Sequence, residues 1–229
     1  MTLSPVAEDY LKTIYHLQEE HSRRVRTVEI ADAMEVTPPS VSSMLDTLEK
    51  LALVEYTPYK GVELTPAGEQ RVLNLVRKHR LLETFLSEHL EYPWPAVHEE
   101  ADELEHHVSD ELARRLSDLL GDPATDPHGE PIPDEELAMT DARTSPSLSE
   151  CGVGDTVVVE QVPHRDSDIG NFLFERSIEP GERLVVTDVT AVDIMTVVPQ
   201  SSESAVSIPN HTARRISVRD EAVEATANN

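Results

Sequence analysis

Residues 98–111 read HEEADELEHHVSDE, with three His and seven acidic side chains in fourteen positions. Imidazoles and carboxylates are the groups that divalent cations take as ligands. A merely solvated acidic helix has no need of the imidazoles. On a helix, positions three or four apart share a face. His98, Asp102, Glu105 and His106 follow one another at steps of 4, 3 and 1, so they can converge. Upstream, His79 and Glu83 stand at i and i+4, and Asp9 lies beside the apolar stripe of the first helix. Five of the ten His fall between residues 79 and 107. Any one of these residues alone reads as a solvated acid or a surface His. The grouping is what points to cation sites between packed helices. His98-Glu99 begins like a zinc-protease helix, but position 102 is Asp, not His. No Gly-rich phosphate loop or nucleophile elbow occurs, so no enzyme is expected.

Helices must position these groups. From Ser4 to Gln18, Val6, Ala7, Tyr10, Leu11, Ile14, Tyr15 and Leu17 recur at helical spacing. TVEIADAMEV gives a short helix with Thr27 as its expected N-cap. TPPSVSSMLDTLEKLALV gives another, capped by Thr37, with Pro38 and Pro39 in a first turn that needs no N–H. Val41, Met44, Leu45, Leu48 and Leu51 form its apolar stripe. LVEYTPYKGVELTPAGE alternates apolar and polar residues around Lys60-Gly61, a hairpin signal. Helix, helix, turn, helix, hairpin is a winged helix-turn-helix. Its second helix would present Pro39, Ser40, Ser42, Ser43 and Thr47, with Thr37 at the leading end. These small side chains allow close approach to a groove. Arg23, Arg24, Arg26 and Lys60 are the cations expected to meet phosphates. Two longer helices follow, GEQRVLNLVRKHRLLETFLSEHL and AVHEEADELEHHVSDELARRLSDLL, the first with an apolar face for packing or dimerisation.

Residues 121–150 are rich in Pro, Asp and Ser and read as a linker, with a short turn of helix near Asp134–Ala138. From Cys151 to about Asp220, β-branched residues alternate, which predicts a small β-barrel of SH3 size. The terminal EAVEATANN reads as frayed. The fold class expected is mainly α with a C-terminal small β-barrel. The boundaries expected are a DNA-binding domain at 1–70, a helical domain at 71–140, a linker at 141–150 and the barrel domain at 151–229.

The chain has 229 residues and a net charge of −25. Residues 1–80 hold 10 Lys and Arg against 12 Asp and Glu, and the rest hold 9 against 32. A general acidic bias suits solubility in a saline cytoplasm. The first third has escaped it, as a surface approaching a polyanion must. A lone cysteine, Cys151, excludes an intramolecular disulfide and a cysteine zinc cage. No signal-peptide pattern and no apolar run near the ~18 residues of a membrane helix occur, so a soluble cytoplasmic protein is expected.

Over most of its length the sequence resembles the DtxR/MntR family of metal-dependent transcriptional repressors. The resemblance is carried in order by EDYLKTIYHLQEE, IADAMEVTPPSVSSMLDTLEKLALVEY, LTPAGE, RKHRLLETFL, VHEEADELEHHVSDELARRL and HGEPIP. It implies a winged helix, a helical dimerisation domain and a C-terminal SH3-like (FeoA-like) domain. It implies one metal at Asp9, Asp102, Glu105 and His106, and a second at His79, Glu83 and His98. It also implies ancillary ligands from the SH3-like domain, for which Asp166 and Asp168 are nearest. Carboxylates at positions 9 and 102 favour Mn²⁺, with Fe²⁺ the alternative. Lys12 departs from the manganese sensors, which carry a second carboxylate there. The expected partners are double-stranded operator DNA and a second copy of the chain. A metal-buffering protein, or a winged-helix regulator of a non-metal signal, are the other readings.

Overall fold

The computed structural model describes residues 3–21, 23–57, 59–139, 145–163, 167–202 and 204–220. Residues 140–144 of the expected linker and the terminal segment 221–229 lie outside them. The chain divides into two compact units. The first is Met1–His79, Leu104–Arg114 and Pro133–Ala138, and the second is Arg80–Glu103, Arg115–Ile132 and Met139–Asn229. Among the described residues no helix is long and apolar enough to cross a membrane.

In the first unit α1 (Pro5–His21), α2 (Thr27–Ala33) and α3 (Pro38–Lys50) precede the hairpin β1 (Val54–Thr57) and β2 (Gly61–Leu64). The 3.6-residue pattern explains the packing. Tyr10, Leu11 and Ile14 of α1, Ile30 of α2 and Val41, Leu45 and Leu48 of α3 are all buried. α1 packs against α2, α3 and β2. The connection from α2 to α3 is Met34–Thr37, with Glu35 in the left-handed region at φ 53°. The α2 start differs from expectation. Its N-cap is Arg26, and Glu29 accepts the Arg26 backbone N–H at 2.8 Å, so the Glu of a capping box is present where a start at Thr27, with Ile30 three residues on, predicts none. Thr37 does cap α3, accepting from the Ser40 N–H at 3.4 Å. Gly61 is needed in the wing: φ is +101° and a Cβ would lie 2.4 Å from the Val25 carbonyl oxygen.

The long helix α4 (Pro66–Leu90) follows as expected. The next expected helix is in fact two, α5 (Val97–Glu105) and α6 (Asp110–Leu120). Ser109 causes the break, since its hydroxyl accepts the Leu112 N–H at 3.2 Å and starts a new helix. His106 therefore lies in the turn just past α5.

In the second unit the expected barrel is an open sheet. β3 (Thr156–Gln161), β4 (Arg183–Val189), β5 (Ile194–Pro199), β6 (Val206–Pro209) and β7 (Ser217–Asp220) pair antiparallel in the order β6-β5-β4-β3-β7. β6 and β7 remain edges. Alternation fixes which face is buried but carries no information on closure. The buried face packs Val157, Val159, Leu184, Val186, Val197 and Ile208 around Trp94. The sequence reading missed β6 and the helices α7 (Ser167–Phe174) and α8 (Asn210–Ala213). The expected helical turn at 134–138, in the first unit, is also absent. Instead the Asp134 carboxylate accepts the N–H groups of Glu136 and Ala138, each at 2.9 Å.

Candidate metal centre and nucleic-acid interface

One cluster lies within the first unit. Asp9 projects from α1, Glu105 ends α5, and His106 follows it. His106 Nε2 is 3.0 Å from Asp9 and 3.7 Å from Glu105 Oε1. One donor atom from each residue lies within 4.8 Å of the other two. Bonds of roughly 2.0–2.6 Å put opposite ligands of one divalent ion at most about 5 Å apart, so the three fit a shared cation. Glu105 is 1% exposed, whereas the Asp9 side chain is 45% exposed. Burial pushes the Asp9 carboxyl above its ordinary range, against the opposing pull of His106.

The sequence reading missed Glu8. The His106 Nδ1–H donates to the Glu8 carboxylate at 2.8 Å, and Arg71 holds Glu8 from the other side at 2.8 Å. A carboxylate on one ring nitrogen fixes the tautomer and aims the other nitrogen at the cation position. A lone acid beside Asp9 gives no sign of this in the sequence. Lys12 and His79 also lie beside Glu105. The Lys12 ammonium donates to Glu105 Oε2 at 2.7 Å and lies 3.2 Å from His79 Nδ1.

A second cluster lies within the second unit. Glu83, Asp126 and His128 also offer donor atoms within 4.8 Å of one another, and all three are buried. Glu83 Oε2 is 3.6 Å from His128 Nδ1, and Glu83 Oε1 accepts from His98 at 3.0 Å. Asp126 is held by the backbone N–H groups of His128 and Glu130, each at 2.9 Å, and faces Arg80 at 3.6 Å. Burial and the neighbouring Glu83 push the Asp126 carboxyl up to about 7. Burial disfavours the charged form of His128, but Glu83 and Asp126 outweigh it and raise its pKa. Gly129 allows the loop to close, since a Cβ there would stand 1.7 Å from the Glu160 carbonyl oxygen. Asp126 and His128 were missed as candidate ligands. They stand in and beside the HGEPIP stretch, where loop residues have no helical spacing to reveal them.

The remaining expected ligands divide between the units. Asp102 stands in the second, half-exposed, 3.6 Å from His98. His79 stands in the first, Glu83 and His98 in the second. Asp168 is exposed in the first turn of α7, and Asp166 lies outside the described residues.

On α3, Thr37, Pro39, Ser40, Ser43 and Thr47 are exposed and Ser42 is half-buried. Ser42 and Thr47 donate to carbonyls one turn back, at 3.2 and 3.1 Å, leaving oxygen lone pairs outward. The cations are more engaged than expected. Arg23 and Arg26 share Glu29 at 2.6 and 2.9 Å, and Arg24 pairs with Glu63. The Arg23 and Arg26 hydrogen bonds hold Glu29 well below the usual carboxylate range. Lys60 is exposed at the wing tip.

Three family models cover the chain. Residues 2–62 match the DNA-binding domain of iron-dependent repressors, residues 65–134 their metal-binding and dimerisation domain, and residues 147–220 the FeoA domain. A solved manganese-dependent transcriptional repressor in complex with manganese superposes with a TM-score of 0.82 at 34% identity, covering 93% of this chain and 99% of that one. The chain belongs to the DtxR/MntR family of metal-dependent transcriptional repressors. As a member it is a metal-dependent DNA-binding regulator, and the family's members are repressors rather than enzymes. The diphtheria toxin repressor of Corynebacterium glutamicum is 39% identical over 104 residues, a stretch that is 45% of each chain. The HTH-type regulator MntR of Bacillus pumilus is 36% identical over 105 residues, covering 46% of this chain and 72% of that protein.

Proposed function

We propose that a homodimer of this chain binds double-stranded operator DNA and represses metal-uptake genes when Mn²⁺ or Fe²⁺ is held by Asp9, Glu105 and His106. The observation carrying the reading is His106, with one nitrogen fixed by Glu8 and the other aimed at two carboxylates. When bound, the ion supplies the positive charge that offsets those carboxylates. Asp9 is the link to DNA. It sits on α1, and α1 packs against α2, α3 and β2. Fixing Asp9 to Glu105 and His106 therefore fixes the helix that supports the reader. Paired α3 helices meet successive major grooves about one turn apart. Thr37, Pro39, Ser40, Ser42, Ser43 and Thr47 line the groove, and Arg26 and Lys60 meet phosphates. Metal and DNA then strengthen each other's binding by the same factor.

Three oxygen or nitrogen donors without thiolate or thioether favour manganese over iron, and the manganese-dependent solved relative supports that order. Glu83, Asp126 and His128, with His98 on the other Glu83 oxygen, form a second cation position. Asp102 and His79 are further candidate ligands. The expected domain boundaries at 70, 140 and 150 are retained as proposals, and the matched segments 2–62, 65–134 and 147–220 support the order of the three domains, with edges a few residues from those boundaries. Exposed Leu104 and Leu112 in the first unit, and exposed Leu90 and Leu119 in the second, are each apolar surface available to the second copy. The cytoplasm, where the operator is, is the place of action.

A gel shift on promoter regions of metal-uptake genes, with no metal, Mn²⁺ or Fe²⁺, tests the reading. A shift only with metal is expected. A shift indifferent to metal favours a regulator of another signal. No shift on any promoter favours a metal buffer.

A further inference from the structure

Lys12 stands one turn after Asp9 on α1, so one helix face carries both an expected ligand and a cation. Its ammonium lies 2.7 Å from Glu105 Oε2 and 3.2 Å from His79 Nδ1, and those two atoms are 2.6 Å apart. Glu105 is thus divided: Oε1 faces His106 and Oε2 faces Lys12. A carboxylate this buried, 1% exposed, needs a positive partner. A carboxylate oxygen and an imidazole nitrogen are also what a divalent ion takes. We propose that Lys12 is a resident counter-ion that a divalent cation drawing on both Glu105 oxygens must displace, so that this side chain sets the metal concentration at which the site fills. The proposal rests on the metal-binding reading above.

Glu105 and His79 lie against the ammonium and Asp9 feels its charge, while Asp9 and Glu105 also face His106. An ammonium on a four-carbon stem suits the role, since it can leave Glu105 by swinging its stem while the helix stays in place. Lys12 is 14% exposed, so a path toward solvent exists. Metal occupancy then carries a fixed cost, the loss of one charge-assisted hydrogen bond, and the threshold rises accordingly.

The test is a calorimetric Mn²⁺ titration of the full chain as wild type, Lys12→Met, Lys12→Gln and His106→Ala. Met keeps the length of the stem and removes the charge; Gln guards against a packing defect peculiar to Met. His106→Ala identifies the relevant site as the one whose affinity it weakens. At that site both Lys12 variants bind Mn²⁺ about tenfold tighter or more. Without metal they melt at a lower temperature than wild type, and Mn²⁺ restores them. A damaged fold cannot produce tighter binding. If His106→Ala weakens binding while both Lys12 variants match wild type or bind worse, the Lys12 proposal is overturned and the metal site stands. If His106→Ala binds as wild type does, the metal-site reading fails and takes this proposal with it.

Discussion

The two acid–imidazole clusters use the same chemistry in different surroundings. At Asp9, Glu105 and His106, one ligand side chain is 45% exposed while another is 1% exposed. At Glu83, Asp126 and His128, the side chains are 1–2% exposed and Arg80 already faces Asp126. An open donor lets a cation exchange with solvent, which a concentration sensor needs. An enclosed set with its own guanidinium holds the fold with or without a cation. The difference also separates the elements served. The first cluster includes α1, which supports α2, α3 and the wing. The second ties a loop to α4 and, through the His128 hydrogen bond to the Trp94 carbonyl at 3.0 Å, to the segment whose indole enters the sheet core.

Substitutions sharpen this contrast, with operator affinity at fixed Mn²⁺ as the common scale. Glu8→Gln should have the largest effect of the three considered. It leaves every proposed ligand in place but unfixes the His106 ring, and a loss of 10–100-fold in metal affinity is expected. Calorimetry and a binding curve on labelled operator DNA should fall together. An unchanged metal affinity would show that His106 is not oriented through Glu8.

His128→Ala should matter less to DNA and more to stability. Operator affinity should change by less than about threefold once the protein is folded. The melting temperature should fall by several degrees, because removing one member leaves the buried Glu83 with poorer compensation. The contrast between the clusters breaks if His128→Ala abolishes metal-dependent DNA binding while the protein remains folded.

Lys60→Ala should have the smallest effect. It touches neither cluster, so metal dependence should be intact. Affinity should drop a few-fold, equally across operator sequences, and the dependence of log affinity on log salt should flatten by about 1. A changed metal requirement would place Lys60 in the switch and not on a phosphate.

The elements were more legible in the sequence than their terminations. Val41, Leu45 and Leu48 recur every three or four residues and alone fix which face of α3 looks outward. The break at His106–Ser109 was hidden because acidic residues continue at helical spacing through it, although Ser109 is a good cap residue. Glu105 and His106 were expected from a spaced acid–imidazole pattern, and Asp9 was grouped with them at one metal by the resemblance to the family. Glu8, Asp126 and His128 act through tertiary contacts 98, 43 and 45 residues away, with His106 and Glu83. Such convergence leaves no periodic trace. Closure of the sheet was likewise beyond an alternating pattern, since edge β7 reads like any other strand and the short edge β6 was not read at all.

The central claim is that a cation held by Asp9, Glu105 and His106 switches the DNA reader. Fluorescence anisotropy of operator DNA against rising Mn²⁺, for wild type and His106→Ala side by side, tests it most directly. The account predicts saturable, Mn²⁺-dependent binding for wild type, and for His106→Ala a loss of about 100-fold or more in operator affinity at the same Mn²⁺ with the fold retained. Overlapping curves for the two proteins, or wild-type binding that ignores Mn²⁺, would contradict it.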